Sequence, residues 1–454
     1  LPQGFVVFCQ QPSELVSEES RRMFPPRLRI MIVTSRDSGG GAPRAIHRIY
    51  RALQDNFDDR ADFYLRVVHK SFDDNKIIGG KPARNRLEGL EYFLRTRFRK
   101  FFPRPPFVSE NRLLHSQALY PTGLGRELNA MRPDVIMLGW LGNSTLSIRE
   151  ISRLRAPLVW RLSDMWVFSG AEHYASEERY RLDYRRGSRP KHESGPDINR
   201  ETFLRKKRLW RRRQRIISPS RWMAQEAMAS GLTRNWPCSV IPNVIDCRDW
   251  RATAKELARR SLGLPVDGSV VLFGAGSGLK DHHKGGDLFL ESLRVLASKQ
   301  GDLAGPVVAA IFGQDGEDRV VNGVRVTFLG KLNDRQLRLA YSSADLMVVP
   351  SRMDNFPSTA AEAQAMGLPV VGFDVSGMPD IVLPNLTGLL VEPFDTSALG
   401  EAIFQLISNP ALAHSMGERA RSRALDVWNP IVIAGRYFEV LFRAAGEKKL
   451  GVAC

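Results

Sequence analysis

Two carboxylates and the short loop between them are the residues of this sequence best placed to do chemistry. Asp354 and Glu362 have seven residues between them. An apolar run ends at Val349, and a helical pattern starts near Thr359, so the predicted order is strand, loop and helix. The first N–H groups of a helix are free to bind phosphate, and the helix dipole favours an anion there. This order therefore predicts a phosphate-binding loop flanked by two acids.

A simpler interpretation of the same residues stays open. Thr359 and Glu362 have the spacing of a capping box, in which the glutamate only returns a hydrogen bond to the backbone at the start of the helix. Asp354 by itself would be an ordinary loop carboxylate. Spacing alone favours the cap.

Two glycine-rich loops follow predicted strands. The segment Gly274–Gly286 contains Lys280 and Lys284, and small residues with a lysine can cradle a diphosphate. The other loop contains Gly39, Gly40 and Gly41 after the first strand. The alternatives are a flexible surface loop at the first position and a bare tight turn at the second.

The segment Val159–Tyr174 combines aromatic residues with Asp164 and His173. A histidine near a carboxylate can act in proton transfer. His173 can equally pack against Trp166, and the sequence does not decide between these roles.

The stretch from Ser351 to Val371 resembles the signature of family-4 retaining glycosyltransferases, with Asp354 where that family usually has glutamate. Gly367–Val371 matches the continuation, and Lys284-Gly285 matches a second family element. The resemblance implies that Asp354 lies at the donor sugar and that Glu362 binds the ribose. It also implies that the loop contacts the sugar and diphosphate through Asn355, Phe356, Pro357, Ser358 and Thr359, with Lys280 standing in for an arginine and Gly39, Gly40 and Gly41 approaching from the other domain.

The segment Val159–Tyr174 is similar to one in bacterial exopolysaccharide and O-antigen glycosyltransferases of the colanic-acid type. Ser163 replaces the histidine usual there. The resemblance implies a catalytic set of Asp354, Lys284, Asp164 and His173, with no metal and no cofactor beyond the nucleotide-sugar donor.

Alternating strand and helix patterns must position these residues. Short apolar runs such as Leu28–Val33, Val135–Leu138 and Leu346–Val349 indicate an α/β protein with parallel sheets. The resemblance implies a GT-B architecture, two Rossmann-like doubly wound domains facing across a cleft. We expect an extension at 1–26, an acceptor-binding domain at 27–246 with a returning helix at 426–446, and a nucleotide-sugar-binding domain at 247–425.

The positive charge lies in the N-terminal half. Residues 1–246 contain 44 Lys and Arg against 26 Asp and Glu, a net charge of +18, whereas the remainder is close to neutral. Residues 84–104 interleave Phe and Leu with Arg at helical spacing, which predicts a basic amphipathic helix for an anionic membrane surface. The basic run 205–215 is either a similar contact or a solvated helix face.

The resemblance implies a retaining glycosyltransferase that uses a UDP- or GDP-linked sugar, and the positive charge favours a saccharide or polyprenyl-diphosphate-linked acceptor. Four scattered cysteines and the absence of a long apolar run predict a cytoplasmic protein, peripheral at the inner face of the plasma membrane, with no nucleic-acid partner. Two alternatives remain open, namely a sugar-nucleotide 2-epimerase of the same architecture and a non-catalytic basic protein that binds membranes or nucleic acid.

Overall fold

A computed structural model describes residues 27–81, 85–101, 106–111, 113–142, 145–175, 177–276 and 278–449. The predicted extension at 1–26 and the side chain of Lys280 lie outside the described residues. Within these ranges the strands are β1 (Leu28–Val33), β2 (Ala61–Arg66), β3 (Ile77–Ile78), β4 (Val135–Leu138), β5 (Leu158–Arg161), β6 (Arg215–Ser218), β7 (Cys238–Val240), β8 (Ser269–Gly274), β9 (Val307–Phe312), β10 (Arg319–Val321), β11 (Val324–Gly330), β12 (Leu346–Val349), β13 (Val370–Phe373) and β14 (Gly388–Val391).

The α-helices of the same ranges are α1 (Gly41–Phe57), α2 (Arg86–Phe101), α3 (Leu124–Ala130), α4 (Ile148–Ser152), α5 (Ile198–Leu209), α6 (Arg221–Ala229), α7 (Lys255–Ser261), α8 (Gly286–Ser298), α9 (Asp334–Ser343), α10 (Ser358–Ala365), α11 (Met378–Ile381), α12 (Thr396–Ser408), α13 (Pro410–Val427) and α14 (Pro430–Lys449). Short 3₁₀ turns include Gly278–Lys280 and His282–Lys284.

Two separate sheets organise the chain. The first has the strand order β3-β2-β1-β4-β5-β6-β7, and the second has the order β10-β11-β9-β8-β12-β13-β14. All pairs are parallel except the hairpin of β10 and β11. In the first sheet the strand order reverses between β1 and β4, and in the second it reverses between β8 and β12, as in doubly wound folds. Ligands of such folds bind in the crevice beyond the carboxyl ends of the strands at this reversal.

Helices cover both faces of each sheet, and this explains the apolar strands. All four residues of β4 and all four of β12 are buried, because a parallel strand between two helical layers has no solvated face. Two clusters of buried side chains flank each sheet. The predicted runs at β1, β4 and β12 are confirmed at both ends.

The last helix returns to the first domain. Ile433, Tyr437 and Phe438 of α14 are buried in the same cluster as residues of β1, β2 and α1. The ring of Phe438 stacks on Phe57 with centroids 4.6 Å apart. The segment between β7 and α7 and the step from α13 into α14 are therefore the two places where the described chain passes between the domains.

Candidate functional site

A cleft of about 980 Å³ lies between the carboxyl ends of the two sheets. Its walls include nearly all of the predicted site residues, namely Gly39, Gly40, Gly41, Asp164, Lys284, Asp354, Asn355, Phe356, Pro357, Ser358, Thr359 and Glu362. The fold thus gathers residues that are more than 300 positions apart in the sequence. Lys280 contributes backbone to a turn near this wall, but its side chain lies outside the described residues.

The centre of the C-terminal wall is an ion pair. The ammonium of Lys284, at the end of a 3₁₀ turn, donates a short hydrogen bond to the carboxylate of Asp354, in the loop after β12. Burial alone would lower the pKa of Lys284, but the charge and hydrogen bond of Asp354 outweigh burial and raise the pKa. Lys284 therefore stays protonated at neutral pH, as one half of an ion pair.

The helix α10 opens directly onto this pair. It begins at Ser358, and its N-cap residue is Pro357, which provides no side-chain cap. A helix that starts without a cap leaves its first N–H groups available to a ligand, and its dipole adds positive potential at the same point. Fixed donors and the ammonium of Lys284 thus surround one region of the cleft, an arrangement that suits a diphosphate.

The capping box that spacing favours does not form. Glu362 is only 3% exposed, and its two oxygens accept hydrogen bonds from Arg48 at 2.8 Å and from the Tyr341 hydroxyl at 3.2 Å. Because the carboxylate faces the cleft and not the start of the helix, the simple cap is the wrong interpretation of Glu362. A carboxylate has lone pairs enough to accept hydroxyl donors as well.

The glycine loop of the first domain faces α10 across the cleft. Gly39 and Gly40 have φ values of +75° and +94°, which glycine adopts without strain. A Cβ built on Gly41 would lie 3.9 Å from the Oγ of Ser358. The absence of side chains here therefore lets the two domains approach the same region of the cleft.

Asp164 and His173 form a hydrogen-bonded pair of which only one member reaches the cleft. Asp164 lines the cleft, whereas His173 is buried behind it. The Nδ1 of His173 lies 2.5 Å from the Asp164 carboxylate, and its Nε2 lies 2.9 Å from the Ser116 hydroxyl. The ring also stacks on Trp166. Because His173 is buried behind the cleft wall and does not line the cleft, this geometry favours positioning of Asp164 over proton transfer to a substrate.

A buried lysine supports the same segment from below. Lys206 of α5 is fully buried and donates to the carbonyl oxygens of Trp166, Ser169 and Gly170. Its ammonium also lies 4.0 Å from the ring centroid of Trp166. The basic run 205–215 is therefore not simply a solvated helix face, because at least this member is part of the core.

Sequence reasoning missed two arginines of the cleft. Arg48 of α1 pairs with Glu362, and its guanidinium lies 5.5 Å from the ring centroid of Trp250. Arg161 ends β5 and is 3% exposed within the cleft wall. Gly41 is the first residue of α1, and Arg48 follows about two helical turns later on the same face. Helical spacing would therefore have pointed to Arg48 as a residue near the glycine loop. Nothing in the sequence indicates that Arg161 is buried.

The remaining wall is suited to a flat ring. Phe312, Leu332 and Leu337 line the cleft beside the backbone of Gly274–Gly276. Apolar side chains next to exposed backbone groups can hold a nucleobase between them and read its edge. Among the described residues, no group of three or more His, Cys, Asp or Glu side chains is arranged to hold a metal ion.

Two further observations concern the cysteines and the membrane. Cys238 and Cys247 are both free thiols, the first partly buried and the second buried. None of the helices within the described ranges is long and apolar enough to cross a bilayer.

Comparison with known proteins places this geometry in context. Residues 255–423 match the family model described as "Glycosyl transferases group 1". Over 217 residues the chain is 33% identical to D-inositol 3-phosphate glycosyltransferase 1 of Catenulispora acidiphila. The matched region covers 42% of this chain and 51% of that protein. The chain thus spans about half the length of this curated relative.

Solved structures resemble the chain along most of its length. Sucrose-phosphate synthase from Thermosynechococcus elongatus has a TM-score of 0.60 and 21% identity, covering 92% of this chain and 100% of that one. Anabaena HepE in complex with UDP and glucose has a TM-score of 0.63 and 17% identity, covering 91% and 99%. At these identities the likeness shows the fold alone. The chain has the GT-B fold, and its C-terminal domain matches the group 1 glycosyltransferase family.

Proposed function

We propose that this chain is a retaining glycosyltransferase that moves a hexosyl group from a nucleotide sugar to a saccharide acceptor. The observation that carries the proposal is the ion pair of Lys284 and Asp354 beside the uncapped start of α10. It lies within the stretch that matches the group 1 family model. The structure of HepE with UDP and glucose bound supports a UDP-linked donor.

The arrangement supports chemistry by charge stabilisation. As the bond between the anomeric carbon and the diphosphate oxygen breaks, negative charge grows on the diphosphate. Lys284 and the N–H groups at the start of α10 would stabilise that charge without rearrangement, which is the most effective form of electrostatic catalysis. Asp354 holds the ammonium in place, and the leaving diphosphate can accept the proton of the incoming hydroxyl. No step of this proposal uses a metal.

For the acceptor, we propose a polyprenyl-diphosphate-linked saccharide of cell-surface polysaccharide synthesis. Two observations support it. The N-terminal half has the net positive charge, and the described apolar side chains of α2 are exposed, with Leu87 at 77% and Leu90 at 52%. Exposed leucines among basic residues suit the headgroup region of an anionic membrane. The Catenulispora relative makes a phosphate-bearing polyol the second candidate acceptor, because it is named for D-inositol 3-phosphate.

A thermal-shift screen with UDP-, GDP- and ADP-sugars tests the proposal. We expect one nucleotide to raise Tm strongly, because a ligand at 100 times its Kd adds about 2.7 kcal/mol to the stability of the folded state. Donor consumption that depends on a saccharide acceptor would support the transferase. Interconversion of the donor sugar without an acceptor would favour the epimerase, and no shift with any nucleotide would contradict both enzymes.

A further inference from the structure

Arg161 is a buried cation that faces the cleft. Its side chain is 3% exposed and belongs to the cleft wall. The Nη1 donates to the Ser163 hydroxyl at 2.8 Å, and the Nη2 donates a short hydrogen bond to the side-chain oxygen of Asn243. The Nε is buried and has no hydrogen-bond partner among the described residues. The Tyr437 hydroxyl is a third polar neighbour of the guanidinium. All three groups are neutral, so none of them balances the positive charge.

The nearby carboxylates are already engaged. Asp164 accepts hydrogen bonds from the Trp166 N–H and interacts with His173, and Asp354 is paired with Lys284. Within the described part of the chain, no carboxylate oxygen lies within 4.0 Å of the guanidinium nitrogens. A buried charge without a counter-ion is costly, so buried charges in proteins are normally paired, and an anionic ligand would supply the missing partner here.

Other arginines of the same cleft differ from Arg161. Arg44 pairs with Asp334, Arg48 with Glu362, and Arg248 with Asp246. These three side chains are also more exposed, at 38%, 21% and 76%. The charges of these three arginines are balanced by carboxylates of the protein. The charge of Arg161, the most buried of the four, is not balanced in this way.

We propose that Arg161 binds an anionic oxygen group, a carboxylate or a phosphate, that a substrate carries on the N-terminal side of the cleft. The inference rests on the proposed function and specifies its substrate class. In that function the donor diphosphate occupies Lys284 and the start of α10, on the C-terminal wall. Arg161 stands on the other wall next to Ser163 and Asp164, where the transferred sugar and the acceptor must meet. Its planar fork suits a two-oxygen anion.

Two sources can supply this group. A donor sugar that is a uronic acid carries a carboxylate, and an acceptor can carry a phosphate. Both present paired anionic oxygens to the guanidinium, so the binding chemistry is shared and an experiment must separate the sources.

The first arm titrates glucose 6-phosphate by calorimetry into the chain saturated with the nucleoside diphosphate that the thermal-shift screen identifies. The diphosphate site is then filled, and glucose serves as the neutral probe. We expect glucose 6-phosphate to bind and Arg161→Gln to weaken it at least tenfold, with nucleotide affinity unchanged. The matched control is Arg153→Gln, an exposed arginine outside the cleft, which should bind as the unaltered chain does.

The second arm compares the nucleotide-linked glucuronate with the corresponding glucose donor. A preference for the uronate that disappears in Arg161→Gln identifies the donor as the source. Binding of glucose 6-phosphate without such a preference identifies the acceptor. If the unaltered, nucleotide-loaded chain shows neither effect, or if folded Arg161→Gln shows both undiminished, the inference is wrong.

A second variant keeps the test decisive if Arg161→Gln does not fold. Ser163→Asp puts a carboxylate beside the guanidinium and supplies the missing counter-ion. We expect a higher Tm, retained nucleotide binding and loss of anion binding. Unchanged anion binding in this variant would overturn the inference. If no nucleotide binds at all, the proposed function fails, and the same probes titrated into the unloaded chain still decide whether Arg161 binds anions.

Discussion

At the scale of single residues, the pair of Lys284 and Asp354 fixes the charge of the site. The partner raises the pKa of Lys284 above its ordinary 10.5, so the ammonium and the stability that it contributes persist until the pH rises through that raised value. We therefore expect no loss of activity from deprotonation of this lysine below pH 10.5, as a pH profile of kcat/KM would show.

Replacing Lys284 by methionine should lower kcat/KM by about 10²–10³-fold, equivalent to about 3–4 kcal/mol, because a fixed charge at the leaving diphosphate is lost. Steady-state donor consumption measures the effect. Lys255→Met is the control, since that exposed lysine pairs with Asp345 away from the cleft. Activity within threefold of the unaltered enzyme would remove Lys284 from the mechanism.

Glu362→Ala should weaken nucleotide binding at least tenfold, about 1.4 kcal/mol, because the ribose loses its acceptor and Arg48 loses its partner. Calorimetric titration with the nucleoside diphosphate checks this. Gln364→Ala on the same helix, directed away from the cleft to Thr387, controls for damage to α10. Unchanged affinity in Glu362→Ala would leave the residue as only a partner of Arg48 and Tyr341.

At the scale of elements, the segment between Asp164 and Tyr174 depends on buried polar groups. Glu172 is 3% exposed and accepts a hydrogen bond from the Tyr184 hydroxyl. Burial raises the pKa of Glu172 from 4.5 to about 7, so its carboxyl group holds a proton more tightly in the folded than in the unfolded chain. Stability must then fall as the pH rises from 4.5 to about 7.

This fall should amount to at most about 3 kcal/mol. The glutamine of Glu172→Gln stays neutral at every pH, so the variant should lack this fall in stability. The free energy of unfolding of the variant should therefore rise relative to that of the unaltered chain between pH 5 and pH 8. Urea denaturation at the two pH values gives that difference. Glu178→Gln, an exposed neighbour, should show the same dependence as the unaltered chain. A Glu172→Gln variant with an unaltered pH dependence would contradict the assignment.

How far the sequence predicts these elements depends on burial. Central strands such as β4 and β12 are continuous apolar runs, and their bounds are predicted correctly. The edge strands β3, with two residues, and β7, with three partly buried residues, carry no comparable signal. The pairing of Arg48 with Glu362 could not be predicted for another reason, because the two residues lie in different domains and only the packing of the domains brings them together.

At the scale of the whole molecule, charge and exposed apolar surface coincide on the N-terminal domain. Leu87, Leu90 and Leu94 of α2 are 77%, 52% and 41% exposed. Phe98 and Phe101 belong to the predicted amphipathic stretch 84–104, but their side chains lie outside the described residues. The membrane proposal can therefore be tested on the three leucines.

Replacing Leu87, Leu90 and Leu94 by serine should weaken binding to phosphatidylglycerol vesicles at least tenfold, because each leucine loses about 1.5–3 kcal/mol of burial when fully inserted. Vesicle sedimentation measures the partitioning. The matched control replaces three exposed leucines of the C-terminal half by serine, namely Leu257, Leu386 and Leu425 at 57%, 42% and 45% exposure. Equal partitioning of both triple variants would contradict a membrane contact through α2.

The return of α14 to the first domain has a consequence for biosynthesis. The face of β1, β2 and α1 that Tyr437 and Phe438 cover remains bare until α14 has left the ribosome. About 200 residues separate the end of the N-terminal sheet from that helix, which at 5–20 residues per second takes roughly 10–40 s. During this time the C-terminal domain can complete its own core while the N-terminal domain waits for its last helix. A nascent chain stalled before Pro430 should therefore be a client of chaperones.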